Sequence, residues 1–193
     1  MQFERGDFMA EGDSMTYIPL LPFGLRGIDD RDFDTLLGRM FFDGHPDANA
    51  PAGFASIGTP ADDNLNPYLR AYQEDFAAHA QWCAHDPAAC SHPAHVVEVT
   101  ADRSATAGER VDLTATIVDP DGKGFDVHWD VAVDPSSYAG AQDLSLWQEC
   151  TVDTAFIVPA DARPGDRLVL TLTVQTRAER PCTRYGQVAI TVA

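Results

Sequence analysis

The sequence predicts a two-part α+β chain, a loop-rich segment with one helix followed by a β-sandwich. Three observations carry this expectation. Beyond Val96, apolar residues recur at every second position in six short runs rich in β-branched side chains. Before that point, one stretch alone keeps the three- to four-residue spacing of a helix. Elsewhere in the first half, Pro, Gly, Asn and Asp interrupt any period. The character changes near residue 95, which sets the expected parts at 1–92 and 96–193.

The chain has 193 residues, room for one large or two small domains. Thirty acidic against thirteen basic residues give a net charge of −17. Such a surface repels phosphate backbones and anionic headgroups, which argues against nucleic-acid and membrane partners. Neutral glycans and cationic ligands stay open. No apolar run approaches the roughly 20 residues that span a bilayer, and MQFERGDF lacks a signal-peptide pattern.

Taken in order, Met15 to Leu21 reads as a buried strand or the first turns of a helix, ended by Pro19, Pro22 and Gly24. Asp29 to Phe42 has an acidic start and an apolar end, fitting a short helix or edge segment. Gly44 to Pro67 is a surface loop by composition. Asn66-Pro67 then opens a helix, with Asn as cap and Pro in the first turn. Leu69, Tyr72, Phe76, Ala80 and Cys83 are expected to share its inner face, and Pro87 to end it. Cys90-Ser91-His92-Pro93 reads as a linker.

The second part holds VVEVTA, RVDLTATIVD, FDVHWDVAV, DTAFIVP, RLVLTLTVQT and YGQVAITVA. Gly108, Asp119-Pro120-Asp121-Gly122, Pro135, Pro159 and Pro164-Gly165-Asp166 mark the turns between them. Six runs within about a hundred residues fit an immunoglobulin or fibronectin sandwich. Val127, Trp129 and Val131 alternate along one strand, which predicts a core tryptophan. The last run reaches Ala193, so this part is expected to be whole.

Glu11, Asp13 and Ser14 place two carboxylates and a hydroxyl within four residues, directly before an apolar stretch. That set suits oxygen ligation of a hard cation such as calcium, or helix capping. Glu11 and Asp13 are also the candidate carboxylate pair for glycoside hydrolysis, and Ser14 a candidate substrate contact. Tyr138 and Trp147 lie in an irregular stretch, where exposed rings suit stacking on sugar faces. Asp119 and Asp121, with Asp126 nearby, form either a turn or a second calcium site.

The cysteines are an even set, Cys83, Cys90, Cys150 and Cys182, and disulfides are expected. Cys83 and Cys90 would close a short loop, while Cys150 and Cys182 lie in the strand-rich half. Free thiols remain an alternative, as does a zinc cluster drawn from Cys83, His85, Cys90, His92 and His95 with His79. Oxidised pairs would imply a secreted or periplasmic protein.

Several short motifs follow one another in a recognisable order. They are Glu11-Gly12-Asp13-Ser14, the Ile18 to Leu25 run, Gly38-Arg39, Tyr72 to Cys83, His92-Pro93 and the DPDG turn leading to Trp129. In this the chain resembles the C-terminal portion of a bacterial secreted family of cellulose-binding, nucleoside-hydrolase-like proteins with a C-terminal immunoglobulin-like domain. The resemblance implies that 1–92 is the tail of a nucleoside-hydrolase-like α/β domain. It also implies that Asp13 matches a late calcium-binding aspartate of that family, with the remaining ligands supplied by residues absent from this chain or by a separate chain. The implied function is carbohydrate-related: binding plant-type polysaccharide, or hydrolysing a glycosidic bond in a full-length protein, with this chain alone inactive. A non-catalytic glycan-binding or adhesion module and a structural spacer are the alternatives.

Overall fold

The computed structural model describes residues 20–27, 29–30, 33, 36, 68–133 and 135–193. The regular structure of the described residues is mostly β-strand, with one long α-helix. The chain groups into two compact units, 1–70 and 71–193.

In the first unit the described residues form turns. The amides of Asp29 and Asp30 both donate to the Arg26 carbonyl, at 3.0 and 2.9 Å, and Phe33 N–H donates to the Asp30 carbonyl at 3.0 Å. Phe33 and Leu36 are fully buried, and the Arg26 guanidinium lies 3.9 Å from the Phe33 ring centre. Gly24 takes φ 91°, a left-handed turn that glycine enters without penalty.

Helix α1 spans Leu69–Trp82. Its buried face is Ala71, Asp75 and Ala78, spaced by four and three residues. This corrects the face read from the sequence: Phe76 is 65% exposed, and Ala80 and Cys83 face solvent. A charge pair decides the rotation. Asp75 Oδ1 lies 2.7 Å from Arg184 Nη1, with both side chains largely buried. A carboxylate desolvated against a guanidinium must face inward with it, and two small alanines let the backbone come close. Beyond the helix, Trp82 Nε1 donates to the Ser91 carbonyl at 3.0 Å. Cys90 and Ser91 are buried, and His92 is tied to Asp121, so the expected linker is held against the β-structure.

Eight strands follow: β1 His95–Val99, β2 Arg103–Ala105, β3 Arg110–Leu113, β4 Ala115–Val118, β5 Phe125–Val131, β6 Thr154–Ile157, β7 Arg167–Thr176 and β8 Thr183–Val192. One sheet has the order β2-β8-β7-β5; β1 pairs with β4, and β3 with β6, in two smaller ladders. The neighbours β5, β7 and β8 correspond to the C, F and G sheet of an immunoglobulin-type sandwich, and β3–β6 to its B–E pair. Val111, Leu113 and Phe156 from one layer join Trp129, Leu170, Leu172, Val188 and Ile190 from the other in a single core. Trp129 is fully buried at its centre, as its alternation with Val127 and Val131 predicted. Among the described residues its indole N–H finds no acceptor.

All six predicted runs contain strand. RVDLTATIVD is divided at Thr114 into β3 and β4. β2 has no apolar alternation and forms by parallel backbone pairing to the end of β8. A register shift between Val96 and Glu98 turns Val96 and Val99 to one side, where both meet the space above Gly186 of β8. Val97 is left 63% exposed.

None of the four cysteines is bonded to another, which corrects the expected disulfides. Cys83 is exposed after α1, whereas Cys90 is buried with its thiol directed at the Asp86 carbonyl, 3.4 Å away. Cys150 sits in the turn hydrogen-bonded to the free edge of β5, and Cys182 directly precedes β8, two strands across the same sheet. Two strand spacings alone come to about 9.6 Å, beyond the ~7 Å Cα separation a disulfide can bridge.

Candidate functional site

The irregular stretch between β5 and β6 is fastened at both ends. Ser136 Oγ donates to the Ala132 carbonyl at 2.6 Å and accepts from Val169 N–H at 2.9 Å. Ser137 exchanges bonds with Arg167, its amide donating at 2.9 Å and its hydroxyl accepting at 2.8 Å. At the far end Trp147 forms an antiparallel bridge to Ala155, and Thr154 Oγ1 donates to the Trp147 carbonyl. The path between these anchors brings Tyr138 and Trp147 to the same cleft.

That cleft has a volume of about 500 Å³. Trp147, Ile157, Leu144 and Pro159 provide apolar wall; Tyr138, Ser145, Asp143 and Asp161 provide polar groups. Trp147 and Ile157 are each 48% exposed, a large apolar surface for a sheet edge. Tyr138 Oη donates to Asp161 Oδ1 at 2.7 Å. Accepting that proton, and lying close to it, the Asp161 carboxylate pushes the phenol above its ordinary pKa and keeps it a donor. The ring sits against Gly140 so closely that a Cβ there would stand 2.8–2.9 Å from Tyr138 atoms. Only glycine admits this pose.

A second cleft, of about 580 Å³, begins on the other side of Trp147 and is lined by Arg110, Asp112, Thr114, Gln148 and Asp153 among others. The Arg110 guanidinium lies 5.0 Å from the Trp147 ring centre, a cation–π contact, and its Nε donates to Asp112 Oδ1 at 2.8 Å. An apolar wall with a few converging hydroxyl and carboxylate groups is the usual make-up of a small-ligand site. A flat indole suits the C–H face of a sugar ring, and carboxylates accept from sugar hydroxyls.

The other candidates fare differently. Glu11, Asp13 and Ser14 lie outside the described residues, as do Asn66 and Pro67. The DPDG carboxylates are used within the fold. Asp119 accepts from the amides of Asp121 and Gly124 at 3.0 and 2.7 Å, closing the turn. Asp121 takes the His92 amide at 3.0 Å and the His92 ring at 2.7 Å. Burial opposes its charge, but these bonds hold its carboxyl below the ordinary range. Asp126 pairs with Arg177. This is a turn. The mixed Cys and His set around Cys83 and Cys90 does not assemble among the described residues, since His79 faces Asp75 and His92 faces Asp121. Sequence reasoning missed Asp143, Asp161, Ile157 and Arg110. Asp161 stands in a Pro- and Asp-rich turn and Arg110 opens a strand, so neither carried a local signal.

A solved structure matches over almost the whole chain. It is a nucleoside hydrolase-related hypothetical protein from Saccharophagus degradans that is associated with carbohydrate metabolism. The match has a TM-score of 0.79 at 21% identity, covering 96% of this chain and 48% of that one. The likeness is one of fold. This chain therefore spans about half the length of that protein. Two titin domains in complex with telethonin (16% identity, 53% of this chain, 48% of that chain) and murine CRIg (12%, 53% and 99%) match with TM-scores of 0.35, too low to carry an argument. No family model matches the sequence, and no curated protein does.

Proposed function

We propose that the β-unit is a carbohydrate-binding module, with the Tyr138–Trp147 cleft as its glycan site. The observation that carries this reading is the convergence of two aromatic residues nine positions apart on one open cleft that also holds Asp143 and Asp161. Trp147 stacks on a sugar ring, and the carboxylates accept from its hydroxyls. Aromatic stacking makes up most of the binding, because exposed polar groups exchange one hydrogen bond with water for another. The net charge of −17 and the two acidic groups in the cleft disfavour uronic or sulfated glycans and favour neutral ones. Plant-type β-glucan, including cellulose, is the substrate class we assign. The fold likeness to a protein associated with carbohydrate metabolism is consistent with it.

Affinity electrophoresis through gels containing soluble glucans tests this directly. The native chain should be retarded in a neutral glucan and Trp147→Ala should migrate freely. Equal migration of both proteins through every glucan would refute the site.

The fold likeness also favours a second reading for a longer protein: hydrolysis of a glycosidic bond, with this chain supplying part of the machinery. Assay of the isolated chain on nucleosides and glycans, with and without calcium, separates the two. The binding reading expects no sugar release.

A further inference from the structure

A second cluster lies on the sandwich, at the free edge of β5, and sequence spacing does not reveal it. His128 of β5 and the consecutive residues Glu149 and Cys150 each offer a ligand atom, and these atoms all lie within 4.8 Å of one another. We infer that His128, Glu149 and Cys150 form a zinc site with one open coordination position.

The geometry is close to what the ion requires. Around a tetrahedral zinc with bonds of ~2.0–2.3 Å, neighbouring ligand atoms stand roughly 3.3–3.6 Å apart. Cys150 Sγ and His128 Nδ1 are already 3.6 Å apart. A rotation of the exposed Glu149 side chain closes the remaining gap.

An independent observation concerns the far side of the imidazole. His128 Nε2 lies 3.1 Å from Asp130 Oδ2. A carboxylate there keeps the proton on Nε2 and turns the Nδ1 lone pair toward Cys150 and Glu149. Metal-bound histidines are commonly oriented in this way. The turn carrying the other two ligands is also secured. Trp129 N–H donates to the Glu149 carbonyl at 2.8 Å, and the Thr151 amide and hydroxyl donate to the Gln148 carbonyl at 3.1 and 2.9 Å. Gln148 holds φ 57°, alone in the left-handed region among described non-glycine residues. These bonds place consecutive ligands beside the strand.

Thiolate, imidazole and carboxylate suit zinc rather than calcium or magnesium, which prefer oxygen alone. Binding displaces the Cys150 thiol proton to solvent, and a water fills the fourth position. Asp130 is a positioning residue. The site is separate from the glycan cleft and does not depend on it.

The test uses the full chain, stripped with chelator and titrated with zinc against a chromogenic competitor, then with cobalt followed by absorption. One zinc per chain is expected, together with a thiolate-to-cobalt charge-transfer band. Cys150→Ser should abolish the band and weaken zinc at least tenfold, and His128→Gln should do the same. Cys83→Ser should leave both unchanged, while Asp130→Asn should weaken zinc about ten- to hundredfold without losing the band. Thermal melts of each variant report folding. Absence of the band in the native chain overturns the assignment. So does a band that survives Cys150→Ser, or one that disappears in Cys83→Ser.

Discussion

The Asp75 carboxylate of α1 and the Arg184 guanidinium of β8 stand 2.7 Å apart across 109 residues of chain. His79 Nδ1 approaches the other Asp75 oxygen at 3.1 Å, one helical turn on. This pair fixes how the helix is rotated, and it turns Phe76 outward.

Removing one partner breaks a largely buried charge pair, a loss of about 3–5 kcal/mol in comparable cases. Asp75→Ala and Arg184→Ala should each lower the urea midpoint strongly. The double variant should cost clearly less than the sum. Additive losses in that cycle would show that the two groups do not interact.

Gly140 makes room for the Tyr138 ring. Gly140→Ala should therefore displace the tyrosine and weaken glucan retardation severalfold, with the sandwich still folded by circular dichroism. Tyr138→Phe should have a smaller effect, since it retains the ring and loses only the bond to Asp161. Unchanged retardation in Gly140→Ala would remove Tyr138 from the binding site.

Acid should loosen the contact between the 90–93 stretch and the DPDG turn. The Asp121 carboxyl is held below its ordinary value, so its contribution is complete above the unfolded-state pKa, about 4. That contribution is lost as pH falls through the lower folded-state pKa. Asp121→Asn should flatten the acid limb of the stability profile. Urea midpoints across that range check it; parallel acid limbs in the two proteins would contradict it.

Thiol counting separates the free cysteines from the disulfides the sequence suggested. Cys83 and Cys150 are exposed, and Cys90 and Cys182 are buried. Burial also pushes the Cys182 thiol up to about 12, so almost no thiolate exists there near neutral pH. Ellman's reagent, without reductant, should find two fast thiols in the native metal-free chain and four after denaturation. A denatured count of two or none would restore a disulfide.

The β-unit was legible because its signal is local. Leu168, Leu170, Leu172 and Val174 alternate with Val169, Thr171, Thr173 and Gln175, and that pattern alone places β7 in a core. Trp129 was readable for the same reason. β2 was not, since Arg103-Ser104-Ala105 has no apolar face and exists only because β8 offers its backbone. The helix misled in a different way. Tyr72, Phe76 and Ala80 form an apolar stripe by spacing, but the Asp75 carboxylate follows Arg184, a residue more than a hundred positions distant. The glycan candidates were half legible: Tyr138 and Trp147 could be singled out as aromatic, but not as neighbours, and Asp161 and Arg110 not at all.

By itself the sequence determined the strand-rich second part, its core tryptophan, its turns and a strongly acidic net charge. These depend on periodicity, turn chemistry and net charge, which act between residues close in the chain or over the whole of it. Tertiary structure alone decided which face of α1 is buried, that the cysteines are unbonded, that His128 meets Cys150, and that Tyr138 and Trp147 line one cleft. Those outcomes rest on side chains brought together across strand edges, where proximity comes from register and packing rather than from spacing.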